Sequence, residues 1–168
     1  MSFTLIILAA AKKIGVSGSL LLAICTHESG LNNVYLHHDG GSPTYGVCQI
    51  KYETAKMVGF TGEAKELMTP KINAEWAATY LKFQKSRYGG DWVKSTAAYN
   101  SGTYVESKKV PGCPKNLQYV KYVQKKLDEK LQDKLSCAIV KVEGSNENLE
   151  NRDRHNSIST EDEVAESP

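Results

Sequence analysis

The chain has 168 residues, a formal net charge of +2 and 40% hydrophobic residues. That is enough for one domain with a buried core. No run reaches the roughly 18–20 apolar residues that a membrane-spanning helix needs, which excludes a protein built on such a span.

Phe3 to Ala11 is apolar. A signal peptide places positive charge before its apolar run and a small-residue cleavage site after it. Here Lys12 and Lys13 follow the run, so the segment is read as a first core helix over Phe3–Val16, stopping near Gly15. An export signal is the alternative. Ser17 and Ser19 are both good N-caps for a second helix over Leu20–His27, and Gly30 suits its C-cap. Asn32 to Tyr45 is polar and turn-rich, with Asp39-Gly40-Gly41-Ser42-Pro43, and reads as a long loop or small β-ribbon. A helix is expected over Glu53–Gly59. Thr69-Pro70 marks the clearest helix start, a capping hydroxyl followed by proline at the first helical position. Ile72, Trp76, Tyr80 and Phe83 then recur at helical spacing and predict its buried face. Gly89-Gly90 ends it. Asp91 caps the next helix, expected to run toward Tyr99 and to break at Asn100-Ser101-Gly102. Pro111 to Pro114 is loop. Asn116 caps a last helix with an apolar stripe of Leu117, Val120, Val123, Leu127, Leu131 and Leu135. From Glu143 on, eight acids face only Arg152 and Arg154, a net charge of −6, while residues 1–142 carry 19 basic and 11 acidic residues, net +8. The end of the chain has too few large apolar side chains to fold alone. The expected organisation is therefore a body, 1–142, and an acidic tail, 143–168, disordered or bound to a partner.

Cys25, Cys48, Cys113 and Cys137 make an even count, which permits disulfides without requiring them. With no export signal read, reduced thiols are expected, Cys25 as a small buried hydrophobe. The spacing matches no zinc motif. His27-Glu28 lacks the second histidine of a helical zinc site, since position 31 is Leu31. No metal and no cofactor is expected.

Four short motifs follow one another: Glu28-Ser29-Gly30, Tyr45-Gly46-Val47-Cys48-Gln49-Ile50, Ala97-Ala98-Tyr99-Asn100-Ser101-Gly102 and Tyr119-Val120-Lys121-Tyr122-Val123. In these the chain resembles the lytic transglycosylases of the soluble type, over roughly residues 3–130. Two departures are mild: Val47-Cys48 stands where that family has Leu-Met, and the stretch between the first two motifs is longer. The resemblance implies a mainly α, lysozyme-like α+β fold and cleavage of peptidoglycan glycan strands. It implies Glu28 as the single catalytic acid, closing the sugar's 6-hydroxyl onto the anomeric carbon to leave a 1,6-anhydro product. It makes Gln49, Tyr99 and Asn100 substrate contacts, Tyr119 a hydrogen-bond partner near Glu28, and Ser29 a residue that orients Glu28 or the substrate.

The residues themselves agree with this chemistry. A general acid must hold its proton near neutral pH. Apolar surroundings and the negative end of a helix dipole both push a carboxyl in that direction, and Glu28 ends an apolar helix. Most glycosidases need a second carboxylate. Asp39 is the nearest acid after Glu28, although its Asp-Gly-Gly setting is typical of a turn. Asp39 and Ser42 are therefore secondary candidates. The alternatives to a transglycosylase are a hydrolytic muramidase on the same bond and a catalytically silent wall-binding subunit. A nucleic-acid module lacks a supporting motif. A substrate outside the inner membrane, with no export signal read, points to delivery in a phage virion, or alternatively with a secretion apparatus. The acidic tail then either docks another subunit or folds back over a basic groove, the alternative being a solvated disordered tail.

Overall fold

The computed structural model describes residues 1–127 apart from Gly40 and the side chains of His38 and Asp39. The tail 143–168, Leu131, Leu135 and Cys137 lie outside the described residues. The chain forms α1 (Phe3–Ile14), α2 (Gly18–Ser29), an antiparallel ribbon of β1 (Val34–Asp39) and β2 (Ser42–Gly46), and β3 (Ile50–Lys51). It continues with α3 (Tyr52–Met57), a 3-10 turn (Ala64–Met68), α4 (Pro70–Arg87), α5 (Trp92–Ser101) and α6 (Leu117–Lys125). This is the lysozyme-like α+β arrangement: a helical body with one small sheet at its side. Among the described residues no helix is long and apolar enough to cross a membrane.

Local chemistry sets the helix ends. Ser17 Oγ accepts the Leu20 N–H and Asp91 Oδ1 accepts the Lys94 N–H, as N-caps do. Gly15 and Gly30 end α1 and α2 in the left-handed conformation that glycine adopts without strain. Three expectations change in detail. Helix α5 continues through Asn100 to Ser101, and only Gly102 stops it. Thr69 and Asn116 occupy N-cap positions without side-chain capping bonds; the Asn116 amide reaches Ala97 O and Asn100 Oδ1 instead. The buried face of α4 is not the Ile72–Trp76–Phe83 line, which is only half-buried. It is Asn73, Ala74, Ala77, Ala78, Tyr80, Leu81 and Gln84. Small residues there let α1 and α5 pack closely on α4, and two buried amides do work that hydrophobic periodicity does not register.

The core gathers Ile7, Leu21, Ile24, Leu67, Leu81, Val120 and Val123, all at most 1% exposed. Helix α1 contributes Ile7, Ala10 and Ala11 and packs on α2 and α4, so it is part of the domain. The expectation of reduced thiols is overturned for one pair: Cys25 on α2 and Cys48 after β2 form a disulfide with Cα atoms 4.2 Å apart. Burial brings both to one place, which sequence spacing did not reveal. Cys113 is buried elsewhere.

Candidate active site

Glu28 lies in the last turn of α2, half-buried, beside an open groove of about 330 Å³. The groove is lined by Glu28, by Gln49, Ile50, Lys51 and Thr54 from the sheet and α3, and by Tyr80 and the Tyr99–Gly102 segment. Among the described residues that line it, Glu28 is the only carboxyl. Helix α6 crosses behind it, and Tyr119 Oη donates to Glu28 Oε1 at 2.7 Å. Burial, and then the charge and hydrogen bond of Glu28, push the Tyr119 phenol well above its ordinary pKa. Tyr119 therefore stays protonated through neutral pH and remains a donor.

His27 packs edge-on against Tyr119 and tilted against Tyr122, with ring centroids 4.8 and 4.3 Å away. Its burial lowers its pKa, so the imidazole is neutral at pH 7 and adds no positive charge beside the carboxyl. Replacing Tyr119 with Phe should keep the ring packing and remove one charge-assisted bond to Glu28. The expected result is a ten- to hundredfold lower cleavage rate, about 1.5–3 kcal/mol, with the melting temperature nearly unchanged. Turbidity loss of cell walls together with thermal denaturation checks both parts.

The other anticipated residues surround Glu28 but spend their polar atoms inside the protein. Ser29 Oγ donates to Val47 O at 2.7 Å and accepts the Asn32 N–H at 3.1 Å, tying the end of α2 to the turn after β2. Gln49, 6% exposed, donates to Val34 O and Gly46 O and accepts a short bond from Thr44 Oγ1. Its φ of +49° is unusual for a side-chain-bearing residue, and those bonds hold it there. Tyr99, 7% exposed, donates to Cys48 O at 3.2 Å and packs against Tyr80. Burial first, and then the nearby Glu28 charge, raise its pKa well above the phenol range. Asn100 is exposed at the groove edge, its Oδ1 held by Asn116. Ser42 pairs with Asp39 at the far end of the ribbon and is not among the groove-lining residues. The Asp39 side chain lies outside the described residues. Among the described residues no group of three or more His, Cys, Asp or Glu is placed to hold a metal.

Two residues that hydrophobic patterning passes over support the groove. Asn73, fully buried on α4, donates to Tyr45 O (2.6 Å) and Leu67 O (2.9 Å) and accepts the Cys48 N–H (2.8 Å). It thus holds both sides of the turn that carries Gln49. The turn passes so close to α4 that a side chain at Gly46 would collide with the Asn73 amide and come within 2.8 Å of Leu67 O; its φ of +73° also calls for glycine. Gln84, also fully buried, donates to Tyr80 Oη, Ala98 O and Gly102 O, anchoring the opposite wall. A polar residue inside an apolar helical period is the one sequence signal that marked either of them.

A lysozyme-like helical body, with a glutamate at a helix end facing a polar groove beside a small sheet, defines the class. Within it, residues 6–112 match the model of the Transglycosylase SLT domain family, and the chain belongs to that family. Among solved structures it is similar to an inactive glutamate-to-glutamine mutant of lytic transglycosylase Slt from Pseudomonas aeruginosa. That match has 22% identity and a TM-score of 0.52, over 75% of this chain and 21% of the other. It is also similar to a 70-kDa soluble lytic transglycosylase in complex with bulgecin A, at 19% identity and a TM-score of 0.46, over 69% and 18% of the two chains. The chain thus spans about a fifth of the length of the proteins it matches.

Proposed function

We propose that this chain is a peptidoglycan lytic transglycosylase that cleaves the MurNAc–GlcNAc β-1,4 bond, with Glu28 as both acid and base. The observation that carries this reading is the pairing of Tyr119 with Glu28 at a groove whose described lining holds no other carboxyl. Protonated Glu28 gives its proton to the glycosidic oxygen as the bond from that oxygen to C1 of MurNAc breaks. The MurNAc 6-hydroxyl oxygen then bonds to C1, and its proton goes to the Glu28 carboxylate. The acid is regenerated, the product is 1,6-anhydro-MurNAc, and no water is consumed. A hydrolytic muramidase would instead need a water and usually a second carboxylate to activate it or to bind the sugar. Lys51, in the wall of the groove, suits the acidic groups of the substrate's peptide stems.

Mass spectrometry of digested peptidoglycan tests the reading. Anhydro-muropeptides are expected from the wild type and none from Glu28→Gln. Reducing-end products would establish a muramidase instead. No products from a folded wild type would favour a structural or partner-activated role.

The setting we favour is a phage particle that opens the wall locally during entry. Helix α1 is built into the core, so Phe3–Ile14 is part of the folded domain. In this setting the acidic segment 143–168, opposite in charge to the rest of the chain, docks another virion subunit. Recovery of the chain from purified particles, and its loss on deletion of that segment, are the expected results; unchanged assembly of the truncated chain would refute the docking role.

A further inference from the structure

The ribbon carries an aromatic face that the cleavage chemistry does not use. Tyr35 on β1 pairs with Tyr45 on β2, and Tyr45 pairs with Ile50 on β3. Directly paired residues project from the same face of a sheet. Tyr35, Tyr45 and Ile50 therefore form one row across three strands, and Ile50 already lines the groove. His37, two residues along β1, lies with its ring 5.2 Å from that of Tyr35, edge to face. Tyr45 is buried beneath, its ring 5.1 Å from Tyr35. Tyr35 itself is 43% exposed. Its ring packs against both of the others while remaining open to solvent, so ordering it on binding costs little side-chain entropy.

The row also has a matching scale. Two interstrand steps separate Tyr35 from Ile50, roughly 10 Å, which is about the span of one disaccharide. The groove floor is tied to the ribbon, because Gln49 donates to Val34 O on β1. A pyranose ring presents a face of C–H groups that packs flat on an aromatic ring, and its equatorial hydroxyls suit neighbours such as the His37 imidazole.

Resting on the glycan-cleaving reading of the groove, we propose that Tyr35, with His37 beside it, forms an additional sugar-binding platform. It receives the glycan strand where the strand leaves the groove past Ile50. The occupant is a linear N-acetylated β-1,4 glycan, and the platform favours long strands over short ones.

The test uses the full-length chain carrying Glu28→Gln, so that binding is read without cleavage. Calorimetry is run with peptide-free peptidoglycan glycan oligomers of two and six sugars. Tyr35→Ala is expected to weaken the six-sugar oligomer about five- to tenfold and leave the two-sugar oligomer unchanged. Tyr35→Phe should keep most of the affinity, because the ring face is retained. Leu36→Ala, on the opposite face of the same strand, should have no effect. Six-sugar binding of Tyr35→Ala within twofold of its parent overturns the platform while leaving the groove's function intact. Equal losses for both oligomers, or an equal loss from Leu36→Ala, also overturn it, because they report a disturbed ribbon. If the parent binds neither oligomer, the glycan reading of the groove falls as well.

Discussion

Glu28→Gln should lower the rate of glycan cleavage at least a thousandfold while the protein keeps its fold. The size follows from two roles held by one group. General acid catalysis by a placed side chain is worth about 10²–10⁴ in rate, and in the proposed mechanism the same carboxylate then serves as base for the ring-closing hydroxyl. Glutamine keeps the shape and still accepts the Tyr119 hydrogen bond through its amide oxygen, so the 2.7 Å contact has a substitute. What it lacks is a proton that moves. The melting temperature of Glu28→Gln should therefore stay within a few degrees of wild type. Substrate affinity should also persist, which makes it the parent for binding measurements. Residual activity above a tenth of wild type would mean that the proton comes from elsewhere. Asp39 would then be the first residue to replace.

The second large effect concerns the Cys25–Cys48 disulfide. It joins the helix turn just before Glu28 to the residue just before Gln49, across a sequence separation of 23. Closing a loop of that size in the unfolded chain is worth about 3 kcal/mol in the chain-entropy account. Cys48 is also held by Asn73 through its N–H and by Tyr99 through its carbonyl, so the bridge completes a three-way fixation of the groove floor. Replacing both cysteines with alanine should lower the melting temperature by roughly 10 °C for a domain of this size. Activity should fall more steeply than stability as temperature rises, because Gln49 and Glu28 lose their covalent link. A melting temperature within about 2 °C of wild type would mean that packing alone holds the two segments.

Much of this was legible in the residues. Ser17, Gly30 and Asp91 announced their helix ends, because capping is local chemistry. The turn-rich stretch after Asn32 became the expected ribbon. Glu28 stood out through the four ordered motifs that carry the family resemblance, and its place at the end of an apolar helix agreed with the role of an acid. The misses have a common cause in contacts distant along the chain. Asn73 and Gln84 are polar residues on a helix whose apolar period suggested another face, and their role exists only once the turn and α5 fold against α4. Cys25 with Cys48 is one of six pairs that four cysteines allow, composition does not choose among them, and the reading of no export signal had pointed to reduced thiols. Gln49 and Ser29 were read as reaching for substrate, whereas their bonds to Gly46 O, Val34 O and Val47 O first build the surface the substrate would meet.

In the proposed mechanism one carboxyl completes the reaction without water. The most direct measurement is digestion of peptidoglycan in ¹⁸O-labelled water, followed by mass spectrometry of the muramic acid ends. The products are expected to carry no solvent oxygen and to be lighter by one water than hydrolysis products. One ¹⁸O at each new muramic acid end would contradict it and establish a hydrolase.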